Sequence, residues 1–216
     1  MDEPTPGAST SRHREFERKF EVLDSTPLPS FVRHAPIADV VRRPTETLHA
    51  VYYDTPEHDL AANRITLRRR TGGNDAGWHL KLPAETVART EIRTEFGACD
   101  NDEVPATLGD LVAAIVKDRP LVVIARITNH RTVDELYGKD GTPLAEFCDD
   151  HVIASAEGHL TEHRWREWEL ELAEDTARDG VADERLMTTL STLLLDAGAV
   201  PASHASKLAR TLAPEG

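Results

Sequence analysis

Residues 14–23 read Arg-Glu-Phe-Glu-Arg-Lys-Phe-Glu-Val-Leu. Phe16 and Phe20 fall on one side of a two-residue repeat, and Glu15, Glu17, Lys19 and Glu21 on the other. That alternation predicts a half-buried β-strand. The Pro-containing stretch Ser25–Ser30 closes it. The same pattern recurs along the chain and predicts strands over His49–Thr55, Ile65–Thr71, Trp78–Leu82, Val87–Phe96, Arg126–Leu136, Pro143–Ala154 and Thr161–Leu172. Two turns join neighbouring strands, TGGNDAG at 71–77 and GKDG at 138–141, both rich in residues that tolerate the backbone of a tight hairpin. Helices are expected over Thr107–Asp118, with Thr107 and Asp110 at capping-box spacing, and over Asp183–Ala197, with Gly198 as the stop. A short last helix is expected over Ser203–Leu212, carrying Lys207 and Arg210. Eight amphipathic strands plus peripheral helices make an α+β domain. A closed or nearly closed antiparallel barrel is the natural way to bury that many half-apolar strands.

The polar faces of these strands are sorted by chemistry. One strand offers Glu15, Glu17 and Lys19, another Arg68 and Arg70, another His79 and Lys81, another Arg89, Glu91, Arg93 and Glu95, and another Glu167, Glu169 and Glu171. Each set is spaced by two and projects from one side. Residues 60–93 hold seven basic and three acidic groups, a local +4 inside a chain of net charge −13, which leaves −17 for the rest. A single Glu-x-Glu or Arg-x-Arg reads as a solvated strand face with cross-strand ion pairs. Five sorted faces in one short domain point to a site for a small polyanion. Lys and Arg would balance an oligophosphate, and carboxylates would hold a hard divalent cation, Mg²⁺ or Mn²⁺. Such a cation can also activate a water for attack.

Composition narrows the field further. A 216-residue chain with 39% hydrophobic and 5% aromatic residues fits one domain. Its acidity argues against a general nucleic-acid binder, and no apolar run approaches a membrane span. The N-terminus, MDEPTPGAST, is not a signal peptide; a cytoplasmic location is expected. Cys99 and Cys148 exclude a disulfide scaffold, and the ten histidines read as surface groups. Residues 1–13 are expected to be a disordered tail, 14–212 the folded domain and 213–216 a C-terminal tail.

The run Glu15-Phe16-Glu17-Arg18-Lys19 resembles the ExExK signature of the CYTH superfamily, the triphosphate tunnel metalloenzymes. YYDTP at 52–56, LAANRITLRRR at 60–70, WHLKLP at 78–83, RTEIRTEF at 89–96, WREWELEL at 165–172 and SKLAR at 206–210 resemble further blocks of the same family. The resemblance implies an eight-stranded antiparallel barrel with charged side chains pointing into a tunnel. By motif, Glu15 and Glu17 match metal-facing acids and Lys19 a phosphate-binding lysine, the three residues expected to carry catalysis. Arg68, Arg70, Lys81, Arg126, Arg131 and Lys207 match basic substrate ligands. Glu91, Asp150, Glu169 and Glu171 match further metal-binding acids, with Asp149 the alternative to Asp150 and Glu167 a continuation of their face.

The activity implied is metal-dependent hydrolysis of inorganic triphosphate or a related organic triphosphate. A CYTH-type adenylate cyclase acting on ATP, a thiamine triphosphatase and a non-catalytic polyphosphate- or nucleotide-binding module are the alternatives. A CHAD domain or polyphosphate is a further implied partner, and the chain is expected to be a monomer or homodimer. Ending at Gly216, it reads as a free-standing member or an excised domain.

Overall fold

The computed structural model describes residues 10–32, 34–83, 89–96, 103–159, 161–173 and 180–213. Residues 1–9 of the expected tail, the expected strand start at Val87, Cys99 and residues 214–216 lie outside them. Among the described residues the chain forms eleven strands and four helices. In order these are β1 (Thr10–Glu15), β2 (Glu17–Val22), β3 (Asp39–Arg42), β4 (Glu46–Asp54), α1 (Asp59–Ala62), β5 (Thr66–Thr71), β6 (Gly77–Leu82), β7 (Arg89–Thr94), α2 (Ala106–Val116), β8 (Val122–Tyr137), β9 (Pro143–Ala156), β10 (His163–Leu172), α3 (Gly180–Asp196), β11 (Val200–Pro201) and α4 (Lys207–Thr211).

All strands belong to one curled antiparallel sheet, ordered β1-β7-β6-β5-β4-β8-β9-β10-β2-β11, with β3 pairing on β8. The expected eight strands are all present. Eleven arise because the first is split in two, and because the short β3 and β11 are added. The split falls at Phe16. Before it, Glu15 pairs with Arg89 on β7; after it, Glu17 pairs with Glu171 on β10. One ribbon therefore serves both ends of the curled sheet, and the chain itself spans the gap between them. Pairing also begins at Thr10, opposite Thr94. Residues 10–13, expected in the tail, are strand because β7 offers them a ladder that composition cannot reveal.

The sorted faces explain where the core lies. Apolar side chains point outward beneath the helices. Phe20, Phe147, Trp168 and Leu170 pack under Leu186, Met187, Leu190 and Leu194 of α3. Leu67, Trp78, Leu80 and Ile92 pack under Leu108, Val112 and Val116 of α2. The charged faces are left pointing inward. A third cluster places Leu208 of α4 on Ala50, Tyr52, Ile127 and Val152, so α4 closes one end of the interior with an apolar plug.

Gly198 ends α3 as expected, with φ at 104°. The expected capping box at Thr107 does not form: Pro105 takes the N-cap position of α2, with no side-chain cap, which leaves Thr107 inside the first turn. Gly72 and Gly73 make the β5–β6 turn in the left-handed region. A Cβ on Gly72 would lie 2.2 Å from the Thr47 carbonyl oxygen, so that turn requires glycine.

Candidate active site in the tunnel

The inward faces meet around one cavity lined by Glu15, Glu17, Lys19, Arg68, Arg70, Lys81, Arg131, Glu169, Glu171 and Lys207. Ten of the thirteen expected site residues therefore share one wall-to-wall space. Glu91 and Asp150 belong to the same inner network through their partners. Arg126 does not. It is exposed, five residues from Arg131, and a strand returns to the same face only at even spacing. The family resemblance set Arg126 against the alternation, and the alternation prevails.

At the end closed by α4, three carboxylates and three cations interlock. Lys207 donates to Asp150, Glu167 and Glu169, each at 2.7 Å. Arg131 grips Asp150 through Nε and Nη2 at 2.8 and 2.6 Å and also reaches Glu169, while Lys19 bonds Glu169 and lies 3.1 Å from Glu17. Burial alone would raise the Asp150 carboxyl, but Arg131 and Lys207 outweigh it and hold it at about 2. Burial likewise works against ionised Glu17, and Lys19 and Lys81 hold that group at about 2. The alternative, Asp149, points to the outer face, where it accepts from Arg166 at 2.7 Å and from the Trp168 indole at 2.9 Å.

On the opposite wall, Lys81 donates to both Glu15 oxygens, at 2.9 and 2.7 Å. Glu91 faces His79 Nδ1 at 3.0 Å and is also bonded by Arg93. The other ring nitrogen of His79 donates to the Asp75 carbonyl at 2.8 Å. His79 is 1% exposed, so it is an inner-wall residue and not a surface histidine. Arg93 was legible as the residue two after Glu91; His79 was legible only as the neighbour of Lys81 by two.

In two parts of the wall the buried charges are only partly compensated. Burial, with the charges of Arg68 and Arg131 beside it, pushes the Arg70 guanidinium down to about 9; it is also paired with Asp75 of the turn. The Nε atoms of Arg68 and Arg70 are buried with no hydrogen-bond partner among the described residues. Across the tunnel, burial and the charge of Glu15 lift Glu171 to about 7. Lys81 pulls it back, and Glu17 and Glu169 add to the rise. One region of the tunnel thus asks for an anion and another for a cation.

A hard divalent cation fits this donor set. Asp150, Glu167 and Glu169 offer oxygens within 4.8 Å of one another, all carboxylate, as Mg²⁺ and Mn²⁺ prefer. Lys207 supplies the positive charge among them.

The family profile of the CYTH domain matches residues 13–198, and the chain belongs to that family. It is 52% identical over 219 residues to an uncharacterised protein found in two strains of Mycobacterium tuberculosis. The match takes in 97% of this chain and 42% of those relatives, so the chain spans less than half their length. Among solved structures, a candidate adenylate cyclase of Bacillus halodurans aligns over 94% of this chain and 99% of its own, at 16% identity and a TM-score of 0.60. A Pyrococcus horikoshii protein aligns over 92% and 98%, at 16% identity and a TM-score of 0.53. Both share the fold. No helix among the described residues is long and apolar enough to cross a membrane.

Proposed function

We propose that this chain hydrolyses a phosphoanhydride bond of a triphosphate, inorganic or esterified, with the help of Mg²⁺ or Mn²⁺. The observation that carries the reading is the crowding of Arg68, Arg70 and Arg131, with two orphaned buried Nε donors, in the same cavity as the buried Glu171 carboxyl, lifted to about 7. A buried guanidinium with an unused donor and a depressed pKa is stabilised by an oligophosphate, whose oxygens accept in the guanidinium plane.

In this reading Lys19, Arg68, Arg70, Lys81 and Arg131 bind and straighten the phosphate chain. Glu15, Glu17 and Glu171 face the same space and orient the attacking water. Asp150, Glu167 and Glu169 are the groups that would hold a cation. When bound, it neutralises phosphate charge and lowers the pKa of a water. Water oxygen bonds to the terminal phosphorus, the bridging P–O bond breaks, the leaving diphosphate takes the electron pair, and the water gives up its proton to solvent. The basic wall stabilises that developing charge, which is the main part a protein plays in phosphoryl transfer.

The test is phosphate release from inorganic triphosphate and from ATP, with Mg²⁺, Mn²⁺ or chelator. Cation-dependent release is expected, and Arg70→Ala or Lys19→Ala should lower kcat/KM by about 10²–10³. Chromatography of the ATP reaction separates ADP and AMP from cyclic AMP. Cyclic AMP as the main product would replace hydrolysis by cyclisation. Tight binding without turnover would make the chain a binding module.

A further inference from the structure

One stretch of the tunnel wall carries no charge. Leu48 and Ala50 of β4 and Ile127 of β8 face the cavity and are 5%, 8% and 3% exposed. Asn129 stands among them, opposite Leu48 in the β4–β8 ladder and lining the same cavity. It is 5% exposed, and its Oδ1 is buried without a hydrogen-bond partner among the described residues. A buried acceptor left unpaired works against the fold, so an amide held there without an internal partner is poised for a ligand.

The chemistry of that ligand follows from the atom. An amide oxygen accepts and cannot donate. An ionised triphosphate chain is all acceptors, so it cannot satisfy Oδ1, and phosphate gains nothing from Leu48, Ala50 or Ile127. A sugar hydroxyl or a base amino group can donate to Oδ1, and the carbon framework around it can rest on the apolar wall. We propose that Asn129 is a specificity-determining residue that recognises the organic group of an esterified triphosphate, of the nucleoside triphosphate class, while the arginines hold its phosphates. This rests on the triphosphate reading and narrows it.

The test compares ATP with inorganic triphosphate. Calorimetric titrations of the full chain are run in chelator, so that no cation-dependent turnover intervenes, with wild type, Asn129→Leu and Asn129→Thr. Asn129→Leu should weaken ATP about tenfold, the value of one hydrogen bond at a buried site, and leave inorganic triphosphate within about twofold. Asn129→Thr, which keeps an acceptor, should fall between. Equal weakening of both ligands would mean that the amide serves phosphate and would overturn the proposal, as would no change in either. Wild type binding inorganic triphosphate but not ATP would refute the role of Asn129 alone. Wild type binding neither would remove the triphosphate reading and this inference with it.

Discussion

Glu171 sits in a row of four carboxylates that crosses neighbouring strands: Glu17 on β2, Glu171 on β10, Glu146 on β9 and Glu135 on β8 are directly opposed in turn. Like charges placed so oppose folding. Glu135 is neutralised by Arg43 and Glu17 by Lys19. Burial, followed by the charge of Glu135, raises Glu146, and Glu171 is lifted from 4.5 to about 7. A carboxyl raised on folding binds more protons in the native state than in the unfolded one between those two values. It stabilises the protein below pH 4.5, and that contribution is lost as pH rises towards 7. Glu171→Gln should therefore remove a loss of stability of up to about 3 kcal/mol between pH 5 and 8, read by urea unfolding in chelator across that range. Lys207 presents the opposite case. Taking its ammonium from among three buried carboxylates leaves uncompensated charge, so Lys207→Met should cost about 3–5 kcal/mol at pH 7, measured the same way.

Helices α2 and α3 lie on the outside of the sheet, so their packing and the tunnel chemistry are separable. Leu190→Ala on α3, at a fully buried position, should cost about 2–5 kcal/mol, seen as a fall in Tm, with little change in triphosphate affinity. The alternation in 14–23 was enough to assign both faces of that ribbon: Phe20 lies under α3 and Glu15, Glu17 and Lys19 line the tunnel. It could not show the exchange of partners at Phe16, because a two-residue period records which side a residue faces and not which strand lies beside it. Arg126 failed for the converse reason, a family pattern accepted against the period. Asn129 escaped notice because an uncharged residue in a charged series carries no signal until its unpaired oxygen is seen. Lys207 rested on motif alone, since five residues of helix give no period from which to tell an inward lysine from a solvated one.

At the scale of the molecule, a chain of net charge −13 encloses a local excess of arginine and lysine. The enclosure decides which anions reach it. A short flexible polyanion can enter, while a duplex meets only the acidic exterior. Electrophoretic mobility of duplex DNA should be unchanged by the protein at physiological salt. Inorganic triphosphate with Mn²⁺ should raise Tm by more than the two separate shifts combined, because each ligand removes the charge that opposes the other. A thermal shift series with each ligand alone and both together reads this directly. The bend at Phe16 bears on how the enclosure can fail. Among the described residues, Glu15 and Glu17 flank the place where peptide bonds, and not a hydrogen-bonded ladder between β1 and β2, complete the circumference. A proteolytic nick at that residue would uncouple the two ends of the curled sheet and turn a pipe into a gutter, parting two neighbouring acids while every helix stayed docked.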